Sequence, residues 1–139
     1  MCTQEDVAID AETPRGTDVA VMIVDDQATF RSTARTVVLL ADGFEVVAEA
    51  ESGEDAVELA ASSQPDLVLM DINLPGINGI EATRRIVAAA PDTVVVLMST
   101  YTAEDLPADA DSCGSRRYVH KEDLFPDLLR EVWDEHGSP

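Results

Sequence analysis

The chain has 139 residues, with 28 Asp and Glu against 9 Lys and Arg, and a formal charge of −19. That length fits one domain able to close a core, and 45% apolar with 27% charged residues excludes a disordered chain. The acid excess argues against nucleic acid and anionic membranes, which both need clustered cations; eight of the nine cations are Arg, and Lys121 is the only lysine.

Residues 1–18 carry Glu5, Asp6, Asp10, Glu12, Pro14 and Gly16 without an apolar period, so they are expected to form a mobile acidic leader rather than a signal peptide. The domain is expected over 19–136, with 137–139 as a tail. Val19 to Val24 is a β-branched apolar run closed by Asp25-Asp26, which suits a strand buried on both faces. Phe30, Ala34, Val37, Val38 and Ala41 then recur at helical spacing until Asp42-Gly43. Phe44 to Ala50 is strand-like, and Ser52 with Asp55 starts a helix carrying Ala56, Leu59 and Ala60.

Asp66 to Met70 reads as a third buried strand, followed by a loop holding Pro75-Gly76. Asn78 and Glu81 read as a cap and its partner for a helix with Ala82, Ile86 and Ala89 on one stripe. Thr93 to Met98 is the fourth strand, Glu104 to Cys113 a short helix closed by Gly114, and Arg117 to His120 the fifth strand. Phe125, Leu128, Leu129 and Val132 mark a final helix with Pro126 in its first turn. Strands alternating with helices imply an α/β doubly wound (βα)5 fold with a parallel five-stranded sheet, flavodoxin-like, in the order 2-1-3-4-5. Cys2 and Cys113 have no metal-like or redox-like spacing and read as free thiols of a reducing cytoplasm.

Polar residues fall at the carboxyl ends of the strands: Asp25 and Asp26 after the first, Asp71 after the third, Ser99 and Thr100 after the fourth, Lys121 after the fifth. Open α/β sheets bind ligands there, where the winding reverses, so Asp25, Asp26 and Asp71 are expected in one cleft. Clustered carboxylates call for a proton or a cation, and an all-oxygen set without His or Cys points to Mg²⁺, Mn²⁺ or Ca²⁺. With the Lys121 ammonium and a Ser99 or Thr100 hydroxyl nearby, one carboxylate becomes the nucleophile of a phosphoryl-transfer site. Taken singly, each residue has a bland explanation, as a helix cap, a backbone partner or a solvated charge. Their joint occurrence at four strand ends is what carries chemistry.

Val21-Met-Ile-Val-Asp25-Asp26, Leu69-Met-Asp71-Ile-Asn73-Leu-Pro75-Gly76-Ile-Asn-Gly79, Val95-Val-Leu-Met-Ser99-Thr100 and Tyr118-Val-His-Lys121 together resemble the receiver domain of two-component response regulators. The resemblance implies that Asp71 accepts a phosphoryl group from a sensor histidine kinase or phosphotransfer protein. It implies Mg²⁺ (or Mn²⁺) held by Asp25, Asp26, Asp71 and the backbone carbonyl of Asn73. Lys121, Ser99 and Thr100 would serve the phosphoryl group, and Ser99, moving toward it, and Tyr118 would switch. The expected protein is a single-domain, cytoplasmic regulator, not an enzyme beyond its own phosphorylation and dephosphorylation. It would act on a protein partner without nucleic acid or membrane, as a monomer or a phosphorylation-dependent dimer.

Some features depart from the pattern. Glu122 replaces the proline that often follows the lysine, the Glu104–Cys113 helix is short and acidic, and Arg116-Arg117 puts cations on the output face, where an acidic partner could dock. His120 and His136 read as surface residues, and Trp133 as packing on the sheet. Competing readings are a haloacid-dehalogenase-type Mg²⁺-dependent phosphatase, a flavin or nucleotide binder, and a phosphorylation-independent receiver-like module. The phosphatase wants an acid where Asn73 stands; the nucleotide binder wants a Gly-rich first loop where Asp25-Asp26 stand.

Overall fold

A computed structural model describes residues 18–100 and 113–136. The expected leader up to residue 17, nearly all of the expected Glu104–Cys113 helix and the tail after residue 136 lie outside the described residues. The strands are β1 (Val19–Val24), β2 (Phe44–Ala50), β3 (Leu67–Asp71), β4 (Val94–Ser99) and β5 (Arg117–His120). The helices described are α1 (Ala28–Leu40), α2 (Gly53–Ser63), α3 (Gly79–Ala89) and α4 (Pro126–His136). The strands form one parallel sheet in the order β2-β1-β3-β4-β5, as the alternating pattern predicts.

Helices on both faces explain the uninterrupted apolar strands, since β3 and β4 are buried at every position. Val19, Val21 and Ile23 of β1 pack with residues of α1 and α4, whereas Met22 and Val24 pack with residues of α2 and α3. The edge strand β2 is only half-buried along its middle and can therefore carry Glu45 and Glu49. The Ser52 hydroxyl accepts the Asp55 N–H at 3.1 Å and the Asn78 side chain accepts the Glu81 N–H at 2.9 Å, so both expected caps form.

Three local expectations shift. Asp66 falls one residue before β3, where its backbone still bonds Ala20 at 2.8 Å and Val94 at 3.0 Å and its carboxylate accepts the Ala20 N–H at 2.9 Å, joining two strand starts through a side chain. Thr93 stays outside β4 because its N–H closes the turn after α3 onto the Ala90 carbonyl at 3.0 Å. Phe125 precedes α4 and is 59% exposed, leaving Leu129 and Val132 as the buried face of that helix, with Trp133 half-buried beside them.

Register positions the chemistry. Val24 pairs with Met70, so Asp25 and Asp71 leave adjacent strands at the same level. Ser99 pairs with His120, which brings the Lys121 turn beside the end of β4. The first turn of α3 passes so close beneath β3 that a Cβ at Gly79 would lie 2.0 Å from the Asp71 carbonyl oxygen.

Candidate functional site

The switch between β1 and β3 opens a cleft of about 230 Å³ lined by Asp26, Gln27, Asp71, Asn73, Thr100 and Lys121. Asp25 is fully buried next to it, and Asp26, which lines it, is exposed. One carboxylate oxygen each from Asp25, Asp26 and Asp71 lies within 4.8 Å of the others. The Asp25 carboxylate accepts the Gln27 N–H at 2.8 Å and the Lys121 ammonium at 2.6 Å. Lys121 Nζ lies 3.6 Å from Asp71 Oδ1 and 4.5 Å from the centre of the Phe30 ring.

This charge balance leaves Asp71 under strain. Its burial and the adjacent Asp25 charge, with a further push from Asp26, raise its pKa to about 6, against the opposing pull of Lys121 and the Asn73 N–H. A divalent cation among the three oxygens relieves that repulsion, and hard oxygen donors are the set that Mg²⁺ or Mn²⁺ takes. The residues present therefore fit such an ion.

The remaining residues named from the sequence are distributed around the cleft. Thr100 is exposed and lines it, whereas Ser99 is fully buried at the end of β4. Tyr118 is half-buried against the core beneath α2 and α3. Arg117 is committed to Glu131 at 2.6 Å and Glu135 at 3.1 Å on α4, so the suggested docking pair reduces to the exposed Arg116. Glu122, where a proline often follows the lysine, is the middle residue of a single 3-10 turn, Lys121–Asp123.

Four supporting residues escaped the sequence reading. Phe30, taken only as part of an apolar stripe, also lies beneath the Lys121 ammonium. Arg31 donates to the Asp25 carbonyl oxygen at 2.7 Å. Glu54, at the start of α2, accepts the Ile77 N–H at 3.0 Å and so clasps the loop that follows Asp71. His120, expected at the surface, is half-buried and bonds on both sides of its ring. Only Phe30 had a usable signal, its position one helical turn after Asp26.

Residues 21–132 match the response regulator receiver domain model. The chain is 38% identical over 114 residues to the transcriptional regulatory protein DegU of Brevibacillus brevis, covering 82% of this chain and 48% of that protein. It is 37% identical over 103 residues to the response regulator UvrY of Escherichia coli K12, covering 74% of this chain and 47% of that one. The chain thus spans about half the length of these curated relatives. The response regulator domain of Thermotoga maritima CheB superposes with a TM-score of 0.77 at 29% identity, over 88% of this chain and 99% of that one. An acidic cleft at the β1–β3 switch, on a 2-1-3-4-5 sheet and within a sequence that matches over this span, establishes that the chain belongs to the response regulator receiver domain family.

Proposed function

We propose that this chain is a phosphorylation-driven switch in a two-component phosphorelay, with Asp71 as phosphoacceptor. An Asp71 carboxylate oxygen attacks phosphorus on a phosphohistidine of a sensor kinase or phosphotransfer protein. The P–O bond forms, the P–N bond breaks, and the departing imidazole takes up a proton. Mg²⁺ or Mn²⁺, held by Asp25, Asp26, Asp71 and the Asn73 backbone carbonyl, would supply positive charge that neutralises the incoming phosphoryl oxygens. The Lys121 ammonium exchanges part of its hold on Asp25 for a phosphoryl oxygen, and the Thr100 hydroxyl donates from the rim. Ser99 and Tyr118 then answer the new charge and reshape the β4–β5 face for a protein partner.

The observation that carries this reading is the convergence of three carboxylates within 4.8 Å beside a single ammonium. Catalysis is confined to the domain's own phosphorylation and dephosphorylation. The output proposed for this surface is a protein contact, with the domain as monomer or phosphorylation-dependent dimer in the cytoplasm and no nucleic acid at this acidic surface. No described helix is long and apolar enough to cross a membrane.

Incubation with Mg²⁺ and acetyl phosphate, followed by intact mass measurement, tests the reading. A single phosphate adduct that the Asp71→Asn variant lacks is the expected result. No adduct, with donor hydrolysis persisting in that variant, would overturn it.

A further inference from the structure

His120 sits between the two strand ends that the proposed chemistry must keep in step. Its Nε2 lies 3.0 Å from the Thr100 carbonyl oxygen, and its Nδ1 lies 3.2 Å from the Glu122 backbone nitrogen. A carbonyl only accepts and an amide N–H only donates, so these contacts select one neutral tautomer, with the proton on Nε2. The ring then bridges the end of β4 to the 3-10 turn Lys121–Asp123. Lys121 begins that turn, and its ammonium reaches across to Asp25 and Asp71. Register strengthens the link, because His120 pairs with Ser99 and bonds the carbonyl one residue further on.

We infer that His120 is a positioning residue for phosphoryl transfer, acting through Lys121 and resting on the phosphoacceptor reading above. Its two hydrogen bonds lock the lysine-bearing turn to the end of β4, so the ammonium and the Thr100 hydroxyl face the cleft with fixed separation. A flexible lysine stem gives no such control by itself, and small misplacements of a charged group cost rate steeply. The metal-binding oxygens belong to other strand ends and do not depend on the bridge.

Two substitutions separate the two bonds. In His120→Asn the short amide can still cap the Glu122 N–H, but it does not reach Thr100. In His120→Gln the longer amide can reproduce the Nε2 donor to Thr100. The rate of adduct formation at saturating acetyl phosphate and Mg²⁺ is expected to fall about three- to tenfold in His120→Ala and His120→Asn and to recover largely in His120→Gln. Mg²⁺ affinity, measured by calorimetry without phosphodonor, stays at the parent value in all of them.

Parent-like rates in the Ala and Asn variants, or a Gln variant as slow as Ala, would overturn the inference. So would a rate loss matched by an equal loss of Mg²⁺ affinity. Nitrogen-15 spectra of the unmodified protein supply a test independent of any variant's folding: the His120 proton must reside on Nε2, and a proton on Nδ1 alone contradicts the bridge. A parent protein that takes up no phosphate would remove the phosphoacceptor reading and this role together. A labelled parent with indifferent His120 variants removes the role alone.

Discussion

Asp71 and Glu81 are carboxylates ten positions apart in the chain, yet their surroundings push them in opposite directions. Glu81, on the first turn of α3, bonds both Arg84 and Arg85, and these hydrogen bonds hold it below the usual carboxylate range. Glu49 is held low in the same way by its two bonds to Arg35, each 2.8 Å long. Asp71 is buried beside a second buried carboxylate, shares one ammonium with it, and is raised to about 6. The surface solves its charge locally with arginine, whereas the cleft is left short of positive charge. That shortage is what an incoming cation would relieve, and the cation would then offset the charge of an arriving phosphoryl group, so the unbalanced region is the one the proposed function uses.

Removing the cleft's own cation is expected to have the largest effect. Lys121→Ala should slow adduct formation from acetyl phosphate about 100-fold. Mg²⁺ should still bind, and somewhat more tightly, since a competing charge has gone. Parallel rate and calorimetric measurements check both halves, and parent-like transfer would place the lysine outside the chemistry.

The next effect is on stability without metal. A carboxyl group whose folded pKa is raised contributes stability at low pH, and that contribution is lost as pH rises from about 4 through about 6. Asp71→Asn, which cannot ionise, should therefore be more stable than the parent above that window, by at most about 3 kcal/mol. The two proteins should converge below it. Urea unfolding across pH in the presence of a chelator measures this. Saturating Mg²⁺ should narrow or reverse the difference, because the ion stabilises the parent's carboxylate.

Loosening the loop comes third. Glu54→Ala removes the acceptor of the Ile77 N–H and should weaken Mg²⁺ binding about two- to fivefold by freeing the segment that carries Asn73. The smallest effect belongs to the surface: Glu81→Gln should leave Mg²⁺ affinity and adduct formation unchanged. A Glu81→Gln defect as large as that of Glu54→Ala would erase the distinction between the two regions.

Much of this was legible in the sequence because it depends on short-range pattern. The span Val19–Val24 declares itself by β-branching, the caps at Ser52 and Asn78 by spacing, and the cleft by which residue follows each strand. Sheet order then needs only the handedness of crossovers, and the expected 2-1-3-4-5 arrangement is the one observed. What escaped depends on contacts between distant positions. Nothing local marks His120 as the partner of Thr100, Glu54 as the partner of Ile77, or Arg117 as occupied by α4. Asp66 misled because a strand-edge carboxylate that bonds a neighbouring backbone looks, in sequence, like the first residue of the strand itself.

The most direct test of the central claim is chemical trapping of the modified residue. After reaction with Mg²⁺ and acetyl phosphate, borohydride reduction converts an acyl phosphate on aspartate into homoserine, which peptide sequencing by mass spectrometry can locate. The account predicts homoserine at position 71 and no conversion at Asp25 or Asp26. Homoserine at another aspartate, or phosphate retained on a histidine with Asp71 intact, would contradict it.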